Sequence, residues 1–371
     1  MVLKQWLSRW PCPVRSLPAR QMPPYFGKES PEARPAADAQ TSSPLRTAMP
    51  GQTGRPALFC RMSLPRIIGP IYGGKSASLR FSPYLCSMHT QGEKITVETW
   101  SELQEVLYHD SWNEQLQRFR SGYVYRGMED VNYELTSTLN RLGESHLEKH
   151  LLRNFRKYSH KQIRSEYTSI WNWLALAQHH GLPTRLLDWT YSPYVALHFT
   201  TNDFNRYDRD GVIWAVNYVD TKTYLPDQLS LIIEEEGSHI FTAEMLGRAV
   251  DSLSKLSHLK KDDFAVFFEP PSIDDRIVNQ YAVFSMMSNP NTLLSDWLPG
   301  RQVRYFKIII PAHLKWEIRD KLDQSNINER VLFPGLDGLA TWLKRHYRDV
   351  RLENALRNPN PDEEERPSAS D

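Results

Sequence analysis

Trp173-Leu174-Ala175-Leu176-Ala177-Gln178-His179-His180-Gly181-Leu182-Pro183-Thr184-Arg185-Leu186-Leu187-Asp188-Trp189-Thr190-Tyr191-Ser192-Pro193-Tyr194-Val195-Ala196-Leu197-His198-Phe199 is the stretch on which the fold turns. Its first part ends a helical pattern that starts near Glu166, with Ile170, Trp173, Leu174 and Ala177 recurring on one side. Gly181 and Pro183 stop that helix, and His179-His180 fit its last turn, where a cation complements the carbonyl end. Ser192-Pro193 then reads as an N-cap with proline at the first helical position, followed by Val195, Ala196 and Phe199. Between the two helices an apolar pair is flanked by Arg185 and Asp188, three residues apart. That spacing reads either as an ion pair holding a turn or as part of a binding site.

Outward from this block the pattern keeps changing period. Ser101 followed by Gln104 fits a capping box, and Leu103, Val106 and Leu107 extend it to a predicted helix over 101–119. Gly122-Tyr123-Val124-Tyr125-Arg126-Gly127 is β-prone and ends at a glycine, which predicts a short strand. A helix is expected near 145–158, from the spacing of Leu147, Leu151, Leu152 and Phe155. Strands are expected at 211–218, 264–269, 278–286 and 305–310, and closing helices near 312–323 and 335–347. The two kinds of element alternate without a βαβ rhythm. The expected fold is therefore α+β, a small mixed or antiparallel sheet with surrounding helices.

The ends differ from this middle. Of 371 residues, the first 90 hold 13 of the 25 prolines, all three cysteines, and 12 Lys and Arg against 3 Asp and Glu. That is a balance of +9 within a net charge of +1, so the remainder carries −8. Such a segment reads as a disordered basic extension, or alternatively as an organelle presequence, ahead of a domain over 96–347. Residues 357–371, with Glu363-Glu364-Glu365, read as an acidic solvated tail. A hydrophobic fraction of 40% supplies a sizeable core. No apolar run approaches membrane-spanning length, so no membrane partner is expected and the cytoplasm is the expected compartment. Cysteines at 12, 60 and 86 are too few and too scattered for a disulfide scaffold. Neither CxxC nor HExxH occurs, so no metal site is expected.

Tyr125-Arg126-Gly127 followed by Gln178-His179-His180-Gly181-Leu182-Pro183-Thr184-Arg185-Leu186-Leu187-Asp188-Trp189-Thr190 resembles the FRG-domain family, named after a Phe/Tyr-Arg-Gly motif. Arg276-Ile277-Val278-Asn279-Gln280-Tyr281-Ala282-Val283-Phe284 looks like that family's third block, with Ala282 where glycine is common, and Leu332-Phe333-Pro334-Gly335-Leu336-Asp337-Gly338-Leu339 looks like its close. The resemblance spans about 96–346. The order of its motifs is in turn similar to that of ADP-ribosyltransferases, which implies a related fold, NAD or another nucleotide as ligand, and transfer of a glycosyl group to a protein or nucleic-acid acceptor. It implies catalytic roles for Arg126, for Thr190 or Ser192, and for Gln280. It further implies ligand contacts from Tyr125, Arg126, Gly127, His179, His180, Arg185, Asp188 and Trp189.

Gln280 is neutral where that resemblance implies a glutamate, so the charge that steadies an oxocarbenium-like centre would have to come from Glu269 or Asp188. Read from the residues alone, Arg126 is either a phosphate clamp or a structural arginine tied to Asp188. His179 and His180 are also acid–base candidates. Two other classes of function stay open: a nucleotide- or phosphate-binding module without turnover, and a metal-dependent hydrolase or nuclease built on His179, His180, Asp188 and His198.

Overall fold

Residues 91–159 and 169–348 are described by the structure, a computed structural model; the basic segment 1–90 and the tail 357–371 lie outside the described residues. Ten strands occur among them: β1 Glu93–Thr96, β2 Trp112–Asn113, β3 Arg118–Phe119, β4 Tyr123–Met128, β5 Leu187–Thr190, β6 Gly211–Asn217, β7 Phe241–Thr242, β8 Ala265–Glu269, β9 Ala282–Met287 and β10 Tyr305–Ile310. Eight of them form one sheet in the order β1-β10-β6-β4-β5-β9-β8-β7, and β2 and β3 form a separate hairpin. The outermost pairs, β1 with β10 and β7 with β8, are parallel, and the inner ones are antiparallel. The fold is thus α+β with a mixed sheet, as the interspersed pattern implies, and the sheet is wider than the strand candidates alone suggest.

Thirteen α-helices among the described residues surround it. They are α1 Trp100–Leu107, α2 Thr138–Leu142, α3 Glu148–Ser159, α4 Ile170–His179, α5 Pro193–Thr200, α6 Asp227–Glu235, α7 Ala243–Ala249, α8 Leu253–His258, α9 Asp275–Asn279, α10 Leu294–Trp297, α11 Lys315–Gln324, α12 Glu329–Leu332 and α13 Leu336–His346. The caps foreseen around the central block are in place: Ser192 caps α5 with Pro193 at its first turn, and α4 ends at His180 just before Gly181, whose φ is 79°. The capping box foreseen at Ser101 and Gln104 is not: Thr99 caps α1 by accepting from the Glu102 N–H, and Ser101 lies inside the helix.

Two further expectations differ. The helix foreseen over 101–119 stops at Leu107, and β2 and β3 occupy its second half. Asp110 and Gln117 take positive φ angles of 55° and 51°, and the Asn113 side chain accepts from the Leu116 N–H, so local turn bonds replace helical ones. The strand foreseen over 278–286 begins only at Ala282. Asp274 caps α9 through the Ile277 N–H, and the chain leaves that helix through Tyr281 at φ 50°.

Strand alternation sorts the core into three apolar clusters. Ile213, Ala215, Ile308 and Tyr125 pack under α1, α5 and α11 on one side of the β1-β10-β6-β4 half. Val266, Phe268, Phe284 and Met286 pack under α4, α7 and α8 on the same side of the β5-β9-β8 half. The register that sets Tyr125 opposite Thr190 and Asp188 opposite Phe284 places both clusters on one side of the sheet. The third cluster, with Val124, Trp189, Trp214 and Phe267, lies on the other side and spans both halves. The halves meet at β4 and β5, which share a single paired position, Tyr125 with Thr190.

α5 rests directly on this junction. A Cβ on Gly127 would stand 1.8 Å from the Ala196 carbonyl oxygen, so glycine is required by the close approach of helix and strand. At the far end of α5, the fully buried His198 accepts from Arg319 through Nδ1 at 2.9 Å, and Arg319 also bonds the His198 carbonyl. Its Nε2 is buried without a partner. Burial, with the Arg319 and Arg345 charges behind it, holds the imidazole well below the ordinary histidine value of 6.5.

Two outcomes are expected. Gly127→Ala destabilises the protein by at least about 3 kcal/mol, because the clash is with backbone that cannot rotate away; equilibrium denaturation measures it. Below pH 6.5 the unfolded chain binds a proton that folded His198 refuses, so the stability present above that value is lost as pH falls. Unfolding free energy decreases on the acid side by up to about 1.4 kcal/mol per pH unit for this one group, and His198→Gln, which keeps an acceptor for Arg319, shrinks that slope.

Candidate functional site

At the β4–β5 junction the two helical layers part and leave a cleft of about 240 Å³. Tyr125, Gly127 and Phe199 line it from one half, and Gln178, His179, Phe284, Ile277, Arg276 and Gln280 from the other. Arg126, Asp188, Trp189 and Thr190 form its floor along the junction itself.

Arg126 fills the place where the ladder stops. Its Nη1 donates to the main-chain carbonyl of Asp188 at 2.5 Å and stands 3.7 Å from the same residue's carboxylate. The guanidinium therefore takes an acceptor that a longer β4–β5 ladder would use. Its Nε is buried and has no partner, and burial pulls the group below its ordinary value while Asp188 opposes the shift. It remains a cation at any physiological pH.

Asp188 projects on the cleft side of β5, with 57% of its side chain exposed. The Gln178 amide donates to both carboxylate oxygens at 3.0 Å, and the Gln178 carbonyl in turn accepts from the Thr184 hydroxyl at 2.5 Å. This chain of bonds runs from the last turn of α4 into β5 and fixes the carboxylate without neutralising it. His179, next to Gln178, holds Asp274 at 2.7 Å through Nε2. Arg276 lies over the Phe333 ring, 5.0 Å from its centre.

The sequence candidates divide cleanly. Tyr125, Arg126, Gly127, His179, Asp188, Trp189, Thr190 and Gln280 line one cleft, although they come from four separate segments. Several of their polar groups are already used, however. The Thr190 hydroxyl donates to the Gln280 carbonyl at 2.7 Å and accepts from the Ser192 N–H at 3.0 Å. Gln280 spends its amide on the Leu332 carbonyl at 2.9 Å. The Trp189 indole turns to the opposite side of the sheet, donating to the Ser285 hydroxyl at 2.7 Å.

Three candidates do not line the cleft. Ser192 is occupied as the α5 cap, and His180 ends α4. Arg185 is buried and bonded to Glu148, with Nε 2.9 Å from both carboxylate oxygens and Nη1 2.9 Å from the Ser288 carbonyl. The ion pair foreseen between Arg185 and Asp188 is thus replaced by two: Arg185, in the bend ahead of β5, pairs with Glu148, and Asp188, on β5, faces Arg126. Glu269 accepts from the Tyr191 hydroxyl at 2.8 Å and does not line the cleft, so Asp188 is the carboxylate of the two that faces it. His198 is likewise absent from the lining, and no group of three or more His, Cys, Asp or Glu suited to a metal ion occurs among the described residues. Sequence reading gave no role to Asp274, Arg276 or Phe199; the Asp-Asp-Arg run at an N-cap was the available signal for the first two.

Residues 121–209 match the family model of the FRG domain, and the chain carries an FRG domain there. The match takes in the Arg126-Gly127 strand, α4, the Asp188 strand and α5; Arg276 and Gln280 come from beyond it. No curated protein and no solved structure matches the chain. No helix among the described residues is long and apolar enough to cross a membrane.

Removing one partner of the Arg185–Glu148 pair strands a buried charge. Glu148→Ala is expected to lower the unfolding free energy by about 3 to 5 kcal/mol, against about 1 kcal/mol or less for truncating an exposed ion-pair partner such as Lys255. Denaturant titration of the two variants makes the comparison.

Proposed function

We propose that the cleft binds NAD and that the chain is an NAD-using mono-ADP-ribosyltransferase acting on a protein or nucleic-acid acceptor. The observation that carries this reading is the Asp188 carboxylate, fixed by Gln178 and open to the cleft beside Arg126. Breaking the bond between nicotinamide and its ribose leaves the electron pair on nicotinamide and positive charge on the sugar carbon. A fixed carboxylate facing that carbon is the group that steadies such charge. Asp188 supplies what neutral Gln280 cannot.

The other walls suit the rest of the ligand. Arg126 and Arg276 present planar donor forks of the kind that match diphosphate oxygens. Phe199, Phe284 and Ile277 offer an apolar surface to a flat heteroaromatic ring. A volume of about 240 Å³ lies just below the usual range for ligand pockets, which suits the reacting nicotinamide-ribose end alone, with the adenosine end lying along the rim.

A second reading, a nucleotide-binding module without turnover, is favoured by one observation: Thr190 and Gln280 are committed to structural bonds. Nicotinamide release from NAD, followed by mass spectrometry with and without cell lysate or oligonucleotides, separates the two. The transferase reading expects release that increases with the right acceptor. It also expects Asp188→Asn, which still accepts from Gln178, to bind NAD in calorimetry while losing about 100-fold or more in release. Binding by the parent chain with no release in any mixture leaves the binding module; no binding of NAD at all ends the transferase reading.

A further inference from the structure

His179 lies in the same cleft as Asp188, and its side chain is only 11% exposed. Its Nε2 stands 2.7 Å from Oδ2 of Asp274. The other oxygen of that carboxylate, Oδ1, accepts from the Ile277 N–H at 3.1 Å, so the first turn of α9 holds Asp274 in place. In a neutral imidazole this arrangement puts the proton on Nε2, facing the carboxylate, and leaves Nδ1 as the basic nitrogen. Nδ1 has no hydrogen-bond partner among the described residues. The bond to Asp274 is more than a helix cap needs, because the last turn of α4 is already closed by the His180 N–H bonding back to Leu176. A histidine oriented by a carboxylate, one residue from the amide that fixes the cleft's acid, is the arrangement of a base with its orienting group.

We infer that His179 is the general base of this site, positioned by Asp274, and that the acceptor it serves is a hydroxyl group. This rests on the transferase reading. As the bond between the ribose carbon and nicotinamide breaks, its electron pair leaves with nicotinamide; a bond forms from the acceptor oxygen to that carbon, and the hydroxyl proton passes to Nδ1 of His179 and then to solvent. A carboxylate acceptor would have no proton to lose and would need no such base. The charged and titratable groups facing His179 are Asp274 and Arg276 on the α9 side and His180 on its own helix. Burial lowers the imidazole below its ordinary value, Arg276 and His180 add to the effect, and Asp274 opposes it, so His179 is unprotonated and able to accept at neutral pH.

The test uses the full chain with NAD, water serving as the simplest hydroxyl acceptor, and nicotinamide release timed from about pH 5 to about pH 8. The parent rate is expected to rise with pH through an inflexion below 6.5. Asp274→Asn, which removes the group that favours the charged ring, moves the inflexion to lower pH. His179→Gln removes it and lowers the rate about 100-fold, with NAD affinity by calorimetry within about threefold of the parent. A parental rate and profile in His179→Gln overturns the base assignment alone. Loss of NAD affinity in place of rate also overturns it and makes His179 a ligand-holding residue. A parent chain that binds NAD and releases no nicotinamide overturns the transferase reading, and the base assignment with it.

Discussion

The interrupted ladder between β4 and β5 is the constraint on which the rest of the structure depends. One paired position, Tyr125 with Thr190, joins two halves of an eight-stranded sheet. Past that pair, two adjacent residues stop the strands from zipping further. Gly127 lets the α5 backbone come down onto β4, and Arg126 inserts its guanidinium against the Asp188 carbonyl. Together they separate the helical layers by enough to leave a cleft on one side, while the third apolar cluster keeps the sheet continuous on the other.

Buried charge holds the parts that flank this opening. The Arg185–Glu148 pair ties the start of α3 to the end of β9 through the Met287 and Ser288 carbonyls. On the other flank, Glu329 at the start of α12 takes Arg345 from α13 and faces Arg319 from α11, which in turn reaches back to His198 at the end of α5. Such pairs add little net stability over an apolar core of the same shape, but breaking one is costly, and each fixes a helix to one position. Their placement around the cleft means that its walls are held from behind, by groups that do not line it.

Much of the fold was legible. The helix that ends at His179, the Ser192-Pro193 start of α5 and the strands over 211–217 and 305–310 follow from local periodicity and capping, which act over a few residues. Helix and strand were confused where the local signal was short. The 112–119 hairpin is held by its own turn bonds, and 275–279 is a single capped helical turn leading into β9. β5 is only four residues long and buried between two strands brought from far along the chain, so Leu187–Thr190 shows no alternation long enough to read.

By itself the sequence determined the α+β class, the basic balance of the first 90 residues against the acidic remainder, and the presence of an FRG domain, because each depends on composition or on a contiguous motif. It also brought forward most of the residues that meet in the cleft. Only the tertiary structure decided their partners. Arg185 and Asp188 are three residues apart in the chain, yet one is buried against Glu148 and the other opens to the cleft with Gln178 and Arg126. The reason is that β5 begins only at Leu187: Arg185 sits in the bend before it and Asp188 on the strand itself, and the partner that waits for each comes from helices and strands that local spacing cannot locate.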